Sequence, residues 1–260
     1  MGLSVKEIVK TIVPGRSLPN LRSFYWNSVL LTTCRRLRYF GSSFHCPICK
    51  SHLRKFLAFG LHSRPNARCP VCGSLERHRL TWLFMTQRTD LLSPPTKKML
   101  HVAPELCLER PLQKSGTVQC FSADLAGESV MIQMDLTAIC FPDRTFDVIY
   151  CSHVLEHIPD DWKAMREMFR VLKNGGWAII QVPISVRTTY EDPTITSPKE
   201  RERLFGQQDH VRAYGEDYYD RLRACGFTVE RERLPAQLEP ATVRRLGLIP
   251  TEEIPFCTKD

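Results

Sequence analysis

Two sets of residues in this chain have types and spacings suited to chemistry. The first is a set of thiols. Cys46-Pro-Ile-Cys49 is followed, after nineteen intervening residues, by Cys69-Pro-Val-Cys72. Two CxxC pairs at such a separation read as a four-thiolate Zn2+ site. Each pair is a knuckle-like turn that points both sulfurs at one ion, and the segment between them can fold as a hairpin. Gly73, after the last cysteine, suits the turn. Four thiolates fill the tetrahedron and leave no position for water or substrate, so the ion is expected to be structural. The remaining cysteines (Cys34, Cys107, Cys120, Cys140, Cys151, Cys225 and Cys257) show no ligand spacing. Most are expected to be small buried hydrophobes.

The second set consists of acids and histidines at the ends of apolar runs. The run MLHVA (99–103) enters the turn LHVAPE. Asp124, with Leu125 beside it, follows that turn by about 20 residues, where an acid accepts hydrogen bonds from ribose hydroxyls. Asp135 follows a third run. Its carboxylate is expected to accept from the exocyclic amine of an adenine, with Leu136 covering the ring. Cys151, Ser152 and His153 end a fourth run. His153, His157 and His210 are the base candidates, because histidine titrates near neutrality. For His157 a capping or packing role is the favoured reading, and for His210 a structural loop role is the alternative.

These residues need a scaffold, and the chain's patterning supplies one. Strand-like runs at 99–103, 118–125, 131–136, 146–152, 177–183, 227–234 and 254–258 alternate with helical stretches from about 104, at about 160–172 and at about 215–224. Asp160 is placed to cap the second of these helices and Asn174-Gly175-Gly176 to stop it. Such alternation predicts an α/β fold, a Rossmann-like and mostly parallel sheet with helices on both faces. Ser197-Pro198-Lys199-Glu200 reads as a capping box opening a short helix. The domain reading is a basic, helical N-terminal segment (1–43), a zinc ribbon with a following helix at 75–85 (44–95), and the α/β domain (96–260), with Ser93-Pro94-Pro95 as the break.

Composition bounds the partners. The chain has 260 residues, 43% hydrophobic and 25% charged, as a soluble globular protein has. It has no apolar run of the roughly 18–20 residues that a membrane span needs, and no signal-peptide pattern, so a cytoplasmic location is expected. Eleven cysteines in such a chain argue against disulfides. The net charge of +8 is uneven: residues 1–98 hold 17 Lys and Arg against three acids, and residues 99–260 hold 19 against 25. A basic half suits an anionic partner: a nucleic acid such as RNA, a membrane surface or a phosphorylated substrate. The basic, partly apolar stretch 23–40 is expected to pack on the catalytic body rather than lie on a membrane surface. Oligomeric state is not legible from these features.

The stretch FPDRTFDVIYCSHVLEHIPDDWKAMREMFRVLKNGGWAIIQVP (141–183) resembles the fourth-strand to fifth-strand block of class I S-adenosylmethionine-dependent methyltransferases of the type 11 kind. Its nearest kin are the small-molecule enzymes that include those of ubiquinone biosynthesis. Together with LHVAPE, the zinc cysteines and the stretch 190–215, it resembles a bacterial subgroup with an N-terminal four-cysteine ribbon. The resemblance implies seven strands with a reversed last strand. It also implies ribose binding by Asp124, adenine binding by Asp135 and Leu136, and Cys151, Ser152 and His153 around the methionine and methyl region. In this frame His101, Ala103, Pro104 and Glu105 form a glycine-poor cofactor turn. S-adenosylmethionine has no pyrophosphate, so the strictest need for glycine is absent. His101 stands where the family carries an acid, and Glu105 supplies a carboxylate for the methionine ammonium. Pro104 is expected within the first turn of the helix that follows.

The resulting functional expectation is methylation of an oxygen on a small molecule or glycan precursor, by in-line transfer with a histidine base. An RNA methyltransferase gripping the phosphate backbone through the basic ribbon is the alternative. A cofactor-binding scaffold without transfer activity is the second alternative. No carboxylate and histidine cluster stands out in the sequence as a catalytic metal site.

Overall fold

A computed structural model describes residues 28–60, 63–127 and 130–260. They divide into two compact units. The smaller takes in the described residues up to Leu80 and a returning segment, Leu238–Pro250. The first part of the 23–40 stretch lies outside the described residues, and the rest forms a helix over Val29–Arg38, with Ser28 as its cap. Strand β1 (Phe40–Cys46) pairs antiparallel with β2 (Ser51–Leu53), Cys46 opposite Ser51, so the first CxxC is the hairpin turn itself. Strands β3 (Leu57–Phe59) and β4 (Arg64–Arg68) form a second hairpin, and Cys69 follows directly. Lys50 and Gly73, each next to the last cysteine of its pair, both adopt positive φ (56° and 79°). The same turn is built twice; glycine takes it freely, while a lysine there carries about 1 kcal/mol of strain.

This small unit is organised around a charge. Arg79, on the helix Glu76–Gln87, is fully buried. Its guanidinium donates to the carbonyls of Ala67 and Ser74 at 3.0 Å each, Leu246 at 2.8 Å and Gly247 at 2.6 Å. It also lies over the Phe56 ring at 4.1 Å. The last two carbonyls end the helix Pro240–Leu246. The sequence pattern puts this segment in a domain spanning 96–260, with the ribbon starting at 44. The observed unit starts its first strand at Phe40 and recovers 238–250 through these long-range bonds.

The larger unit, Thr81–Gln237 with Thr251–Asp260, holds a seven-stranded sheet. Its strands are β5 (Lys97–Val102), β6 (Val118–Asp124), β7 (Ile132–Gln133), β8 (Phe146–Ser152), β9 (Leu172–Gln181), β10 (Thr228–Glu232) and β11 (Ile254–Thr258). The order across the sheet is β10-β11-β9-β8-β5-β6-β7, and only β11 runs against its neighbours. The α/β class, the mostly parallel sheet and the reversed last strand are as expected. Strands β5 and β8 are central, and Leu100, Val102, Ile149 and Cys151 join the main core with Met165 and Met168 of the helix Asp161–Val171. Two-sided burial explains why these strands read as near-continuous apolar runs.

Local details depart from the sequence reading. The third strand shrinks to two residues at the sheet edge, where pairing has one side only. The first strand ends at Val102, and the helix after it starts at Leu106 with Glu105 as its cap, so Pro104 precedes the helix. Asp160 caps its helix, accepting from the Lys163 N–H at 2.9 Å. That helix ends at Val171, ahead of the Asn-Gly-Gly stretch, which lies inside β9. Gly176 is needed there because a Cβ would come within 2.9 Å of the Asp147 carbonyl. The helix Pro198–Phe205 has Ser197 as its cap residue and Pro at its first turn, but no side-chain capping bond. Cys34 and Cys140 are exposed rather than buried.

Candidate active site

Strand β5 connects onward to β6 on one side, and β8 connects to β9 on the other. Their carboxyl ends therefore open a crevice at the switch point of the sheet, where parallel α/β folds bind ligands. The sequence places two loops there. Each begins with a residue in the left-handed region that is not glycine: Ala103 (φ 46°) after β5 and His153 (φ 56°) after β8. Strain of this kind, of order 1–3 kcal/mol per residue, clusters where a loop must hold a particular shape for a ligand.

The first loop carries a histidine–carboxylate pair. His101 Nε2 lies 3.0 Å from Glu105 Oε2. Tyr150, opposite His101 in the β5–β8 register, brings its hydroxyl to 3.5 Å from Glu105 Oε1. Glu105 is thus fixed at the mouth of the crevice by two residues from the sheet floor.

The second loop carries another. His153 Nδ1 lies 3.3 Å from Glu156 Oε1, and Glu156 is buried in the short helical turn Leu155–His157. The backbone N–H of His153 donates to the Gln181 carbonyl at 2.8 Å, which ties the loop to β9. Ser152 Oγ and Gln181 Oε1, paired in register at the ends of β8 and β9, are buried without a protein partner. Leaving such atoms unpaired costs about 1–3 kcal/mol each, which a polar ligand at this edge would offset.

The other expected positions sit along the same edge. Asp124 ends β6, one oxygen accepting from the Ala126 N–H at 3.0 Å. Gly127 packs on it so closely that a Cβ would meet Asp124 Cβ at 3.0 Å. Leu125 is exposed, whereas Leu136 belongs to the core. Asp135 is exposed and accepts from the Thr137 N–H at 2.8 Å. The Cys151 thiol is fully buried, and burial pushes its pKa up, so this residue offers its backbone rather than a reactive sulfur.

The structure brings the three base candidates together. The rings of His157 and His210 lie 4.7 Å apart at 84°, and Glu156 links the group to His153. His210 arrives from the 190–215 insertion, which is stitched to the turn beneath it. The Val211 N–H donates to the Glu156 carbonyl at 2.9 Å. Buried Arg212 donates to the carbonyls of Leu155 at 2.9 Å, Ile158 at 2.5 Å and Pro159 at 2.7 Å, and to Glu191 at 2.8 Å. Burial works against the charge on Glu191, but Arg212 and Arg221 outweigh it and hold its carboxyl below the usual range. Glu156 and Arg212 were not singled out from the sequence. The available signal for Glu156 was its place in His153-x-x-Glu156-His157, which puts its carboxylate within reach of either histidine.

In the smaller unit the cysteine sulfurs converge. Cys46 Sγ and Cys72 Sγ are 3.7 Å apart, Cys49 Sγ and Cys69 Sγ are 3.8 Å apart, and all four lie within 4.8 Å of one another. A tetrahedron with Zn–S bonds of about 2.3 Å has edges of roughly 3.8 Å, so the spacing fits zinc.

Residues 99–180 match the family described as "Methyltransferase domain". The matched residues run from β5 to β9. Over 131 residues the chain is 37% identical to the ubiquinone/menaquinone biosynthesis C-methyltransferase UbiE of Enterobacter sp. (strain 638), a match covering 49% of this chain and 52% of that protein. It is 39% identical, with the same coverage, to the UbiE of Cronobacter sakazakii (strain ATCC BAA-894). The chain thus spans about half the length of the curated relatives it matches. Among solved structures, the YcgJ protein of Bacillus subtilis superposes with a TM-score of 0.43 at 21% identity, over 60% of this chain and 70% of that one. No helix among the described residues is long and apolar enough to cross a membrane.

Proposed function

We propose that this chain transfers a methyl group from S-adenosylmethionine to an oxygen of a small molecule or glycan precursor, with His153 as the base. The observation that carries this reading is the His153–Glu156 pair at the carboxyl end of β8. A carboxylate on Nδ1 fixes the imidazole's tautomer, leaves Nε2 to accept a proton, and stabilises the imidazolium that results. Asp124 would accept from the ribose, with Leu125 beside it, and Asp135 from the adenine amine. Glu105 would face the methionine ammonium, and the backbone of Ala103, Pro104, Cys151 and Ser152 would line the methionine. The cofactor supplies a sulfonium-activated methyl group. His153 Nε2 would take the proton that the acceptor oxygen gives up on methylation, with S-adenosylhomocysteine as the other product. The chain's main contribution is to align the reactants and take that proton.

The four cysteines would hold a structural Zn2+, since a unit this small has little core of its own. The basic charge of residues 1–98 supports RNA as the competing acceptor. That reading requires nucleic-acid binding that falls steeply with salt. The proposal is tested with a labelled-methyl screen of extract fractions to find the acceptor, followed by His153→Gln. Transfer by the variant should fall about 10²–10⁴-fold with S-adenosylhomocysteine binding retained. Undiminished transfer would refute the assigned base, and binding lost by wild type and Asp124→Ala alike would refute the cofactor.

A further inference from the structure

The geometry points to a second metal site, for a divalent transition-metal cation, formed by Glu156, His157 and His210. One ligand atom from each lies within 4.8 Å of the other two. A hydrogen bond on His210 and close charged contacts on His157 and Glu156 already engage the opposite atom of each side chain. His210 Nδ1 lies 2.9 Å from the Phe205 carbonyl, which can only accept, so the proton is on Nδ1 and the lone pair is on Nε2. His210 Nε2 is buried without a partner. His157 Nδ1 faces the Asp209 carboxylate at 3.3 Å, which likewise leaves Nε2 as the coordinating atom. Glu156 Oε1 faces His153, and Glu156 Oε2 is buried without a partner.

This matches the outer shell of metal-binding histidines, whose second ring nitrogen faces a carbonyl or carboxylate: the Phe205 carbonyl for His210 and the Asp209 carboxylate for His157. It also accounts for two orphaned polar atoms on residues that are more than nine-tenths buried. Each would otherwise cost about 1–3 kcal/mol, and a cation satisfies both. The site is rigid, because Val211 and Arg212 bind the backbone of the turn that carries Glu156 and His157. Two imidazoles and one carboxylate favour Zn2+, Mn2+, Fe2+ or Co2+ over the all-oxygen shells of Mg2+ and Ca2+. Unlike the four-cysteine cluster, three ligands leave coordination positions open. Resting on the methyl-transfer reading, an open position beside His153 would take the acceptor oxygen and lower its proton affinity.

The test uses the full chain with its cysteine site filled by Zn2+, titrated with Co2+ and followed by visible absorption. Wild type should take up one further equivalent, with weak d–d bands and no thiolate charge-transfer band. His157→Ala, at a partly exposed position, and His210→Gln should each weaken uptake by at least about tenfold. In both variants S-adenosylhomocysteine affinity should stay within about twofold. Absence of uptake beyond the cysteine site, or uptake equal in wild type and both variants, would overturn the site. Wild type that binds Co2+ but not S-adenosylhomocysteine would leave the metal site standing and remove its role in methyl transfer.

Discussion

Two neighbouring strands, β5 and β8, end in the same way and offer opposite chemistry. Each is followed by a non-glycine residue in the left-handed region, and each presents a histidine paired with a glutamate. After β5 the histidine side chain is 0% exposed and the glutamate 18%; after β8 the glutamate is 1% exposed and the histidine 30%. On the proposed reading the buried member would orient its partner and the open member would meet the ligand. The first pair therefore presents a carboxylate, suited to a cationic ammonium, and the second presents an imidazole, suited to a proton. A polar pair in a crevice is defined by which partner faces the solvent as much as by its composition.

Exchanging roles breaks this comparison most sharply at His153. His153→Gln should lower methyl transfer about 10²–10⁴-fold while the dissociation constant of S-adenosylhomocysteine stays within about twofold. Next in size is the support beneath the second pair. Arg212 is buried and bonds three carbonyls and Glu191. Arg212→Ala should destabilise the fold by about 3–5 kcal/mol in denaturant titration, because it strands buried acceptors. Glu105→Gln addresses the first pair. It should weaken S-adenosylhomocysteine binding about 10–100-fold, with transfer at saturating cofactor unchanged.

The smallest effect concerns acid. The folded-state pKa of Glu191 lies below its unfolded value. Its contribution is therefore complete above the ordinary carboxyl range and lost as pH falls through the depressed value. Glu191→Gln should flatten the acid limb of melting temperature against pH, while wild type should keep its slope.

Much of this scaffold was legible in the sequence for a simple reason. Strands buried on both faces, such as FDVIYCS at 146–152, must be apolar throughout, and the ends of those strands mark the crevice. The cysteine pairs were legible because their ligand spacing is local. What stayed hidden was tertiary. Glu156 stands between two histidines in the sequence, and its burial and the bond from the distant Val211 N–H to its carbonyl appear only in three dimensions. The return of 238–250 to the small unit rests on Arg79 reaching carbonyls 167 and 168 residues away. The Asn-Gly-Gly stretch resembles a helix stop, yet its glycines serve a close approach within β9. Cys151 and Leu136 stand beside the crevice in sequence and in the core in space.

The division of labour between the two pairs is tested most directly by calorimetric titration of S-adenosylhomocysteine into wild type, Glu105→Gln and His153→Gln. Wild type should show one site, Glu105→Gln an affinity reduced at least about tenfold, and His153→Gln an affinity changed by less than about twofold. Failure of wild type to bind, or an equal loss in both variants, would contradict that division.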